Sequence, residues 1–170
     1  TTMSGGSTVT ITFGGDPFPS RTTQLTCNGG IMDIVLGDFN SDYLQDFLIA
    51  TDDGRLDFFI NSGQAEPFDT LYEFAPTLGA GIWSVVAGDF NSDGLTDIAY
   101  THSIRKITIL LQSRSAPFGP ASESIPLSHS VGSDFTSIWS GDVTGDGKTD
   151  IAAMRQSDPS VYLFDQTTFR

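Results

Sequence analysis

Three short segments of the sequence place oxygen-bearing side chains at alternate positions. They read GDFNSDYLQD from residue 37, GDFNSDGLTD from residue 88 and GDVTGDGKTD from residue 141. Each fits the pattern D-x-[N/T]-x-D-x-x-x-D, and nine of the 18 aspartates of the chain lie in these loops. Three carboxylates within nine residues repel one another strongly unless a cation lies between them. The spacing therefore predicts three cation-binding loops.

The donor types in these loops favour calcium over other cations. Oxygen ligands at alternate positions of a tight loop suit Ca²⁺, and a backbone carbonyl at the seventh position adds a ligand. Mg²⁺ is the second choice, because its smaller octahedral shell fits a cage of several carboxylates less well. Neither His nor Cys lies in the loops, which argues against zinc. The predicted ligands of up to three ions are Asp38, Asn40, Asp42, Leu44 and Asp46; Asp89, Asn91, Asp93, Leu95 and Asp97; and Asp142, Thr144, Asp146, Lys148 and Asp150.

Two other kinds of loop share this aspartate pattern. An EF-hand ends in a bidentate Glu at position 12 and continues into a helix. Here position 12 is Ile49, Tyr100 or Ala153, and β-type sequence follows, so the EF-hand is rejected. Turns rich in Asp, Asn and Gly that hold no metal are the remaining alternative, which three regular copies disfavour.

Two landmarks repeat along the chain with one period. The first aspartates of the loops, Asp38, Asp89 and Asp142, are 51 and 53 residues apart. Pro-Phe pairs begin at residues 17, 67 and 117, and Phe169 stands where a fourth pair is due. Agreement between independent landmarks indicates a repeat of about 50 residues.

Each repeat contains four short runs of apolar, aromatic or β-branched residues, none long enough for an amphipathic helix. Asp53-Gly54, between the second and third runs of its repeat, predicts a tight hairpin. We expect four antiparallel strands per repeat and almost no helix. The first runs are 31–36, 82–87 and 135–139, the second 47–50, 98–100 and 151–153, the third 9–13, 56–60, 107–111 and 161–164, and the fourth 22–26, 70–74 and 122–127.

Four-stranded units of this length are typical of β-propeller blades. The prediction is an all-β chain with four-stranded antiparallel blades, about three repeats and incomplete blades at both ends. The open edges imply a missing parent chain, other chains that complete the ring, or copies joined head to tail. The predicted organisation is a single repeat domain, 1–170, made of a partial blade of outer strands at 7–27, blades with calcium loops at 31–75 and 82–127, and a partial blade with a calcium loop at 135–170.

The sequence resembles the FG-GAP/VCBS-type repeats of integrin α-subunit heads and of fungal and bacterial propeller proteins. The three aspartate loops and the apolar runs around them carry the resemblance, which covers roughly residues 7–170. The resemblance implies a propeller fold and calcium ligands at the first, third, fifth and ninth loop positions. It leaves the function open, because such propellers serve adhesion, lectin and accessory roles alike.

Two residues depart from the motif of that family. Tyr43 stands where the motif prefers Gly, at a position that often needs a positive φ, so the first site is expected to be strained or weaker. Thr144 replaces Asn or Asp as the third ligand, and its hydroxyl supplies no charge. The second loop is therefore expected to bind most strongly.

Composition excludes several classes of partner. Lys and Arg number 8 against 21 acidic residues, which gives a formal charge of −13. Nucleic-acid binding needs a basic face, so no nucleic-acid partner is expected. No apolar run reaches the roughly 18–20 residues of a membrane helix, so membrane insertion is not expected. Cys27, the single cysteine, is expected to be a small buried hydrophobe.

No catalytic motif is evident outside the loops. His102 and His129 lie in different repeats without matching Ser or Asp motifs, so no enzyme activity is expected. The recurring phenylalanines at 18, 68, 118 and 169 are expected to be blade core. Large aromatic residues could stack on a sugar, but packing between blades is the preferred interpretation. The aromatic ligand-binding candidates are Trp83, Tyr100 and Trp139.

The leading functional hypothesis is a calcium-stabilised propeller module that binds a glycan or a protein. Calcium is near millimolar outside cells, so even a weak site would be filled there, which points to an extracellular or cell-surface location. One alternative is a structural subunit that assembles through its incomplete end blades into a ring or filament. A second is an accessory domain of a larger enzyme.

Overall fold

The described part of the chain is built almost entirely of antiparallel strands. The computed structural model describes residues 6–15, 18–64, 68, 70–74, 81–102, 106–114, 124–127, 135–156 and 159–169. One short 3₁₀ helix, Gln166–Thr168, is the departure from β structure there. Within these residues, no helix is long and apolar enough to cross a membrane. The strands are β1 Ser7–Gly15, β2 Phe18–Cys27, β3 Ile31–Gly37, β4 Asp46–Thr51, β5 Leu56–Ile60, β6 Thr70–Phe74, β7 Ile82–Gly88, β8 Asp97–His102, β9 Lys106–Leu110, β10 Ser124–Leu127, β11 Phe135–Gly141, β12 Asp150–Arg155 and β13 Val161–Phe164.

The strands form four small sheets in chain order. The first sheet pairs β1 with β2, the second runs β3-β4-β5-β6, the third runs β7-β8-β9-β10, and the fourth runs β11-β12-β13. All neighbouring pairs are antiparallel. The predicted strand order, with two complete blades between two incomplete ones, is therefore confirmed.

The hairpin predicted at Asp53-Gly54 joins β4 to β5. Gly54 adopts a φ of +87°, a left-handed conformation that glycine reaches without steric cost. The Thr51 N–H donates to the Arg55 carbonyl at 3.0 Å and closes the turn. This turn fixes the register in which Ala50 faces Leu56.

Three apolar cores lie between successive sheets. Leu25 and Cys27 of the first sheet pack with Ile49 and Phe59 of the second. The cores between the second and third sheets and between the third and fourth sheets are larger. The buried Cys27 and the buried landmarks Phe68 and Phe169 confirm three packing predictions. The side chains of Phe18 and Phe118 lie outside the described ones.

The packing of two aromatic candidates differs from expectation. Trp139 is 51% exposed on the fourth sheet, so the prediction that it packs between blades is wrong. The reason is that the face carrying Trp139 has no described sheet beyond it. Tyr100 is 1% exposed, in the core between the second and third sheets, so it cannot stack on a sugar. Trp83 is half-buried.

A buried carboxyl between the first two sheets makes stability depend on pH. Burial raises the pKa of Asp57 to about 6; the nearby Arg55 guanidinium opposes the rise, and Glu73 and Asp53 add to it. The folded state therefore binds this proton more tightly than the unfolded chain does. The resulting stabilisation is complete below the unfolded pKa of 3.8 and is lost as the pH rises through about 6.

Asp57→Asn is therefore expected to gain stability relative to the native chain as the pH rises. Between pH 4.5 and 7.5 the difference in unfolding free energy should shift in favour of the variant by about 2 kcal/mol, since one pKa unit is about 1.4 kcal/mol and part of the titration lies below pH 4.5. Urea unfolding at several pH values measures it, with Asp52→Asn in the exposed turn as control. A difference that stays constant with pH contradicts the prediction.

Candidate functional site

The three aspartate loops connect the first and second strands of the second, third and fourth sheets. All three have left-handed residues at the fourth and sixth loop positions. The φ values at the fourth position are +63° for Ser41, +61° for Ser92 and +78° for Gly145. At the sixth position they are +70° for Tyr43, +81° for Gly94 and +82° for Gly147. The repeated sequence therefore folds into one repeated loop conformation.

The first aspartate of each loop organises the backbone of that loop. In the second loop, the Asp89 carboxylate accepts the N–H groups of Asp93 at 3.1 Å and Gly94 at 2.9 Å. Asp38 accepts the corresponding N–H groups in the first loop. Asp142 does the same in the third and also accepts the Gly145 N–H. These bonds turn the loop around the first carboxylate.

The third and fifth positions form a second layer of hydrogen bonds. The Asn91 side-chain oxygen accepts the Asp93 N–H at 3.0 Å, and its amide donates to the Asp93 carboxylate at 3.0 Å. That carboxylate also accepts the Leu95 N–H at 2.9 Å. Asn40 and Asp42 repeat this arrangement. The bond from the fifth carboxylate to the seventh N–H also recurs in the third loop, between Asp146 and Lys148.

Thr144 behaves differently from the asparagines at the third position. Its hydroxyl donates to the Asp150 carboxylate at 3.0 Å. A hydroxyl oxygen that donates in one direction keeps lone pairs for another contact. The third loop therefore couples its third and ninth positions directly, which the asparagine loops do not do in the hydrogen bonds described.

The ninth aspartate of each loop is fully buried and joins two segments of its blade. Asp46 accepts the Phe39 N–H at 2.8 Å and the Asn61 N–H at 2.8 Å. Asp97 accepts the Phe90 N–H at 2.9 Å and the Gln112 N–H at 2.8 Å. One bond reaches back to the second loop position and the other to the segment after the third strand. These hydrogen bonds to the ninth aspartate were not expected from the sequence.

The number of donors sets the proton affinity of these buried carboxyls. Burial raises the pKa of Asp46, and it raises that of Asp97 to about 6, against two opposing backbone hydrogen bonds in each case. Burial acts in the same direction on Asp150, but bonds from Val143, Thr144 and Gln166 outweigh it and hold the pKa of Asp150 below its ordinary value. The hydrogen bonds of Asp150 therefore favour its ionised form, whereas burial disfavours the ionised form of Asp97.

A glutamine after the third strand ties the second loop to the first, and another ties the third loop to the second. The Gln112 side chain donates to the Phe39 carbonyl at 2.7 Å and accepts the Thr96 N–H at 2.9 Å. Gln166 donates to the Asp89 carbonyl at 3.0 Å and accepts from the Ser92 hydroxyl at 2.8 Å. The loops thus form one connected row. Two glutamines 54 residues apart, in step with the repeat, were the available sequence signal.

The side chains of the loops are of the type that binds calcium, but hydrogen bonds within each loop determine where the carboxylates lie. Among the residues that the structure describes, no three acidic, His or Cys side chains are gathered closely enough to hold a metal ion. An ionised carboxylate has about four acceptor positions, and Asp89 uses two of them for backbone N–H groups. Oxygen acceptors therefore remain on the loop.

A small cleft separates the first two loops. It has a volume of about 90 Å³. Tyr43 and Arg114 both line it, and Tyr43 is 96% exposed. Sequence reasoning singled out Tyr43 only for its backbone and did not find Arg114. The complete lining is Asp38, Ser41, Tyr43, Gly94, Leu95, Thr96 and Arg114.

Tyr43 carries the backbone strain expected from its sequence. Its φ of +70° costs about 1 kcal/mol for a residue with a Cβ, and its exposed side chain gains little from packing. Tyr43→Gly is therefore expected to raise the free energy of unfolding by about 0.5–1 kcal/mol, measured by urea unfolding in chelator. Gly94→Ala at the equivalent position is the reverse control and should lower it. A Tyr43→Gly variant that is less stable than the native chain contradicts the prediction of backbone strain at Tyr43.

Comparison with protein-family models decides the family. The model of the FG-GAP-like repeat matches residues 38–100 and again residues 89–153. The chain belongs to the FG-GAP-like repeat family. Each match begins at the first aspartate of one loop and runs through the loop of the next FG-GAP-like repeat. A search of curated proteins finds no match.

Proposed function

We propose that this chain is a calcium-stabilised propeller module that binds a glycan or a protein outside the cell and has no catalytic role. The observation that supports it is the loop conformation that recurs three times, with left-handed fourth and sixth positions in each. In every copy the first and fifth aspartates are held by backbone N–H groups of their own loop. Their remaining oxygen acceptors would serve as calcium ligands.

Electrostatics supports calcium as a structural ligand. The chain has a formal charge of −13, and three Ca²⁺ ions would reduce it to −7. Asp97 is a buried carboxyl whose pKa is raised to about 6 by burial, so its ionised form at neutral pH lacks sufficient counter-charge. A cation in the second loop would supply it. This supports the second loop as the strongest of the three sites.

The concentration of calcium supports an extracellular location. A site with a dissociation constant of about 10⁻⁴ M is largely filled at millimolar calcium and nearly empty in the cytosol. Exposed loops with three carboxylates and no tighter cage are expected to fall in this range. Mg²⁺ is expected to bind these loops more weakly than Ca²⁺, because Mg²⁺ holds its water shell more strongly.

The cleft beside the first loop is the proposed ligand subsite. Tyr43 offers a fully exposed aromatic ring, and Arg114 adds a charge in a chain that has only eight basic residues. An aromatic ring stacks on the apolar face of a sugar, and a guanidinium pairs with a carboxylate or sulfate group. The chemistry favours an acidic glycan. Trp139, on the exposed face of the fourth sheet, is the competing platform.

Retention on an array of neutral, carboxylated and sulfated glycans tests this proposal. In 1 mM Ca²⁺ we expect binding to acidic glycans that falls at least about tenfold in Tyr43→Ala and in Arg114→Gln. Trp139→Ala is the matched control for loss of an exposed aromatic ring. Binding that survives both changes at the cleft, or that depends on Trp139 instead, contradicts the cleft as the subsite. If no glycan on the array binds, the glycan ligand is ruled out and a protein is the remaining proposed ligand.

A further inference from the structure

The connection from the first sheet to the second has the sequence Asn28-Gly29-Gly30. Asn28 directly follows β2 and is exposed. Gly29 adopts a φ of +104°, and a Cβ placed on it would lie 3.0 Å from the Asp53 carboxylate. Both the backbone conformation and this close contact favour glycine after Asn28. The fold therefore places an exposed asparagine directly before a residue that has no side chain.

An asparagine in this position can lose its side-chain amide without an enzyme. The Gly29 nitrogen attacks the Asn28 Cγ, a new C–N bond forms, and the bond from Cγ to Nδ2 breaks to release ammonia, which takes up the Gly29 N–H proton. Water then opens the five-membered imide at either carbonyl. The products are aspartate, or isoaspartate in which the main chain runs through the side-chain carboxyl. Glycine favours the attack because no Cβ crowds its nitrogen.

The three other asparagines of the chain are each held by two side-chain hydrogen bonds. The Asn91 oxygen accepts the Asp93 N–H at 3.0 Å, and its amide donates to the Asp93 carboxylate at 3.0 Å. Asn40 makes the same pair of bonds. The Asn61 amide donates to the Gln45 carbonyl at 3.1 Å, and its oxygen accepts from the backbone. Serine follows each of the three. Their side chains are therefore fixed, and a Cβ stands beside the attacking nitrogen.

Asn28 is held less firmly than these three. Its amide donates to the Glu73 carboxylate at 3.1 Å at an exposed position. The hydrogen bonds of the described residues include none to the Asn28 side-chain oxygen or from the Gly29 N–H. The attacking nitrogen and the carbonyl that it attacks are thus both unoccupied, since an attack needs only a rotation of the exposed side chain.

We propose that Asn28 is a site of spontaneous deamidation in the folded chain, where aspartate and isoaspartate form while the other three asparagines stay intact. The surroundings of Asn28 are supplied by Glu73 on β6 and by the turn between β4 and β5. Both belong to the second sheet, all four strands of which are present. The proposal does not depend on calcium or on a ligand, because Asn28 lies in none of the aspartate loops.

Deamidation is expected to weaken the contact between the first and second sheets. A carboxylate at position 28 can no longer donate to Glu73, and it adds a negative charge beside the Asp52 and Asp53 carboxylates. Arg55 already pairs with Glu73. Isoaspartate also lengthens the main chain by a methylene group, next to Gly30, whose N–H is bound by Asp52 at 2.7 Å.

Peptide mapping by mass spectrometry after incubation tests the site on the full native chain. The chain is kept for several weeks at about 37 °C and neutral pH, folded in buffer and unfolded in concentrated urea, with an unincubated sample as the background of the digestion. Tryptic peptides 22–55 and 56–105 contain all four asparagines, and fragmentation separates position 28 from position 40. Deamidation adds about 1 Da, and chromatography separates isoaspartate from aspartate.

The folded chain should lose the Asn28 amide at least about ten times faster than any other asparagine amide. Both isoaspartate and aspartate should appear, and the rate should rise with pH because the attacking nitrogen must lose its proton. The consequence is measured by hydrogen exchange. Amide hydrogens of β2 should exchange at least about fivefold faster in Asn28→Asp than in the native chain. Asn28→Ser removes the amide donor without adding a charge and should exchange more slowly than Asn28→Asp.

Three results overturn the proposal. One is an Asn28 amide that survives in the folded chain, whether or not urea exposes it to loss, because the fold would then protect it. Another is equal loss at Asn28 and at the other three asparagines. The third, which overturns the weakened contact between the sheets, is Asn28→Asp whose β2 exchanges like that of the native chain.

Discussion

Asp150→Ala is expected to lower the free energy of unfolding by about 3–5 kcal/mol, with calcium removed by chelator. The Asp150 side chain is fully buried. It accepts the N–H groups of Val143 and Thr144 at 3.0 Å each, the Thr144 hydroxyl at 3.0 Å and the Gln166 N–H at 3.2 Å. The Val143 N–H keeps the Gly141 carbonyl as a second acceptor at 3.0 Å. Alanine removes the acceptor of the Thr144 and Gln166 donors, and each donor left unsatisfied costs about 1–3 kcal/mol.

Asp146→Ala in the same loop is the matched control. Asp146 is exposed and accepts the N–H of Lys148. Its loss should cost less than about 1 kcal/mol in chelator. Urea unfolding of both variants in chelator measures the difference. Equal losses would contradict the stabilising role of the Asp150 hydrogen bonds and would mean that the ninth aspartate acts only through a metal.

The lowered pKa of Asp150 adds a dependence on pH with a definite sign. Burial is opposed by the hydrogen bonds from Val143, Thr144 and Gln166, which favour the ionised form in the folded state. The resulting stabilisation is present above the unfolded pKa of 3.8 and is lost as the pH falls through the lower folded pKa. The difference between the native chain and Asp150→Ala should therefore shrink in acid below about pH 4.

Removing calcium is expected to have the second large effect, on the whole chain. One site with a dissociation constant of about 10⁻⁴ M adds about 1.4 kcal/mol at 1 mM Ca²⁺, so three sites add about 4 kcal/mol. For a chain of this length, that corresponds to a fall in melting temperature of about 10 °C on chelation. The reason is mass action, because the ions bind the folded loops and not the unfolded chain.

Thermal melting followed by circular dichroism measures this effect. Excess Ca²⁺ should restore the melting temperature, and Mg²⁺ at the same concentration should restore less of it. Asp93→Asn removes one charged ligand from the second loop and should reduce the calcium-dependent gain by about a third, with little change in chelator. A melting temperature that chelator leaves unchanged would favour metal-free turns.

The strands were predictable because local sequence determines them. The runs 56–60, 70–74 and 161–164 coincide with β5, β6 and β13, since β-branched and aromatic residues alternate there between turn signals. The repeated aspartates then placed one loop between the first two strands of each blade. Repetition made the strand order readable even where a single run, such as 122–127, is weak.

The contacts that join the loops were not predictable, because they depend on spatial neighbours. Gln112 lies far from Phe39 in sequence, and only the stacking of blades brings its side chain to that carbonyl. The hydrogen bonds of the ninth aspartate were not predictable either. Its spacing suggests a metal ligand, but its burial and two backbone donors become visible only in the fold. Trp139 failed as a core prediction because its exposure depends on whether another blade follows.

The number of calcium ions bound per chain shows whether the three aspartate loops are metal sites. Equilibrium dialysis of the native chain against 1 mM Ca²⁺, followed by elemental analysis, should find three calcium ions per chain, and Asp93→Asn should lower the number towards two. A chain that retains no calcium above the dialysis buffer would contradict calcium binding by the loops, and the repeated loops would then be turns held by their own hydrogen bonds.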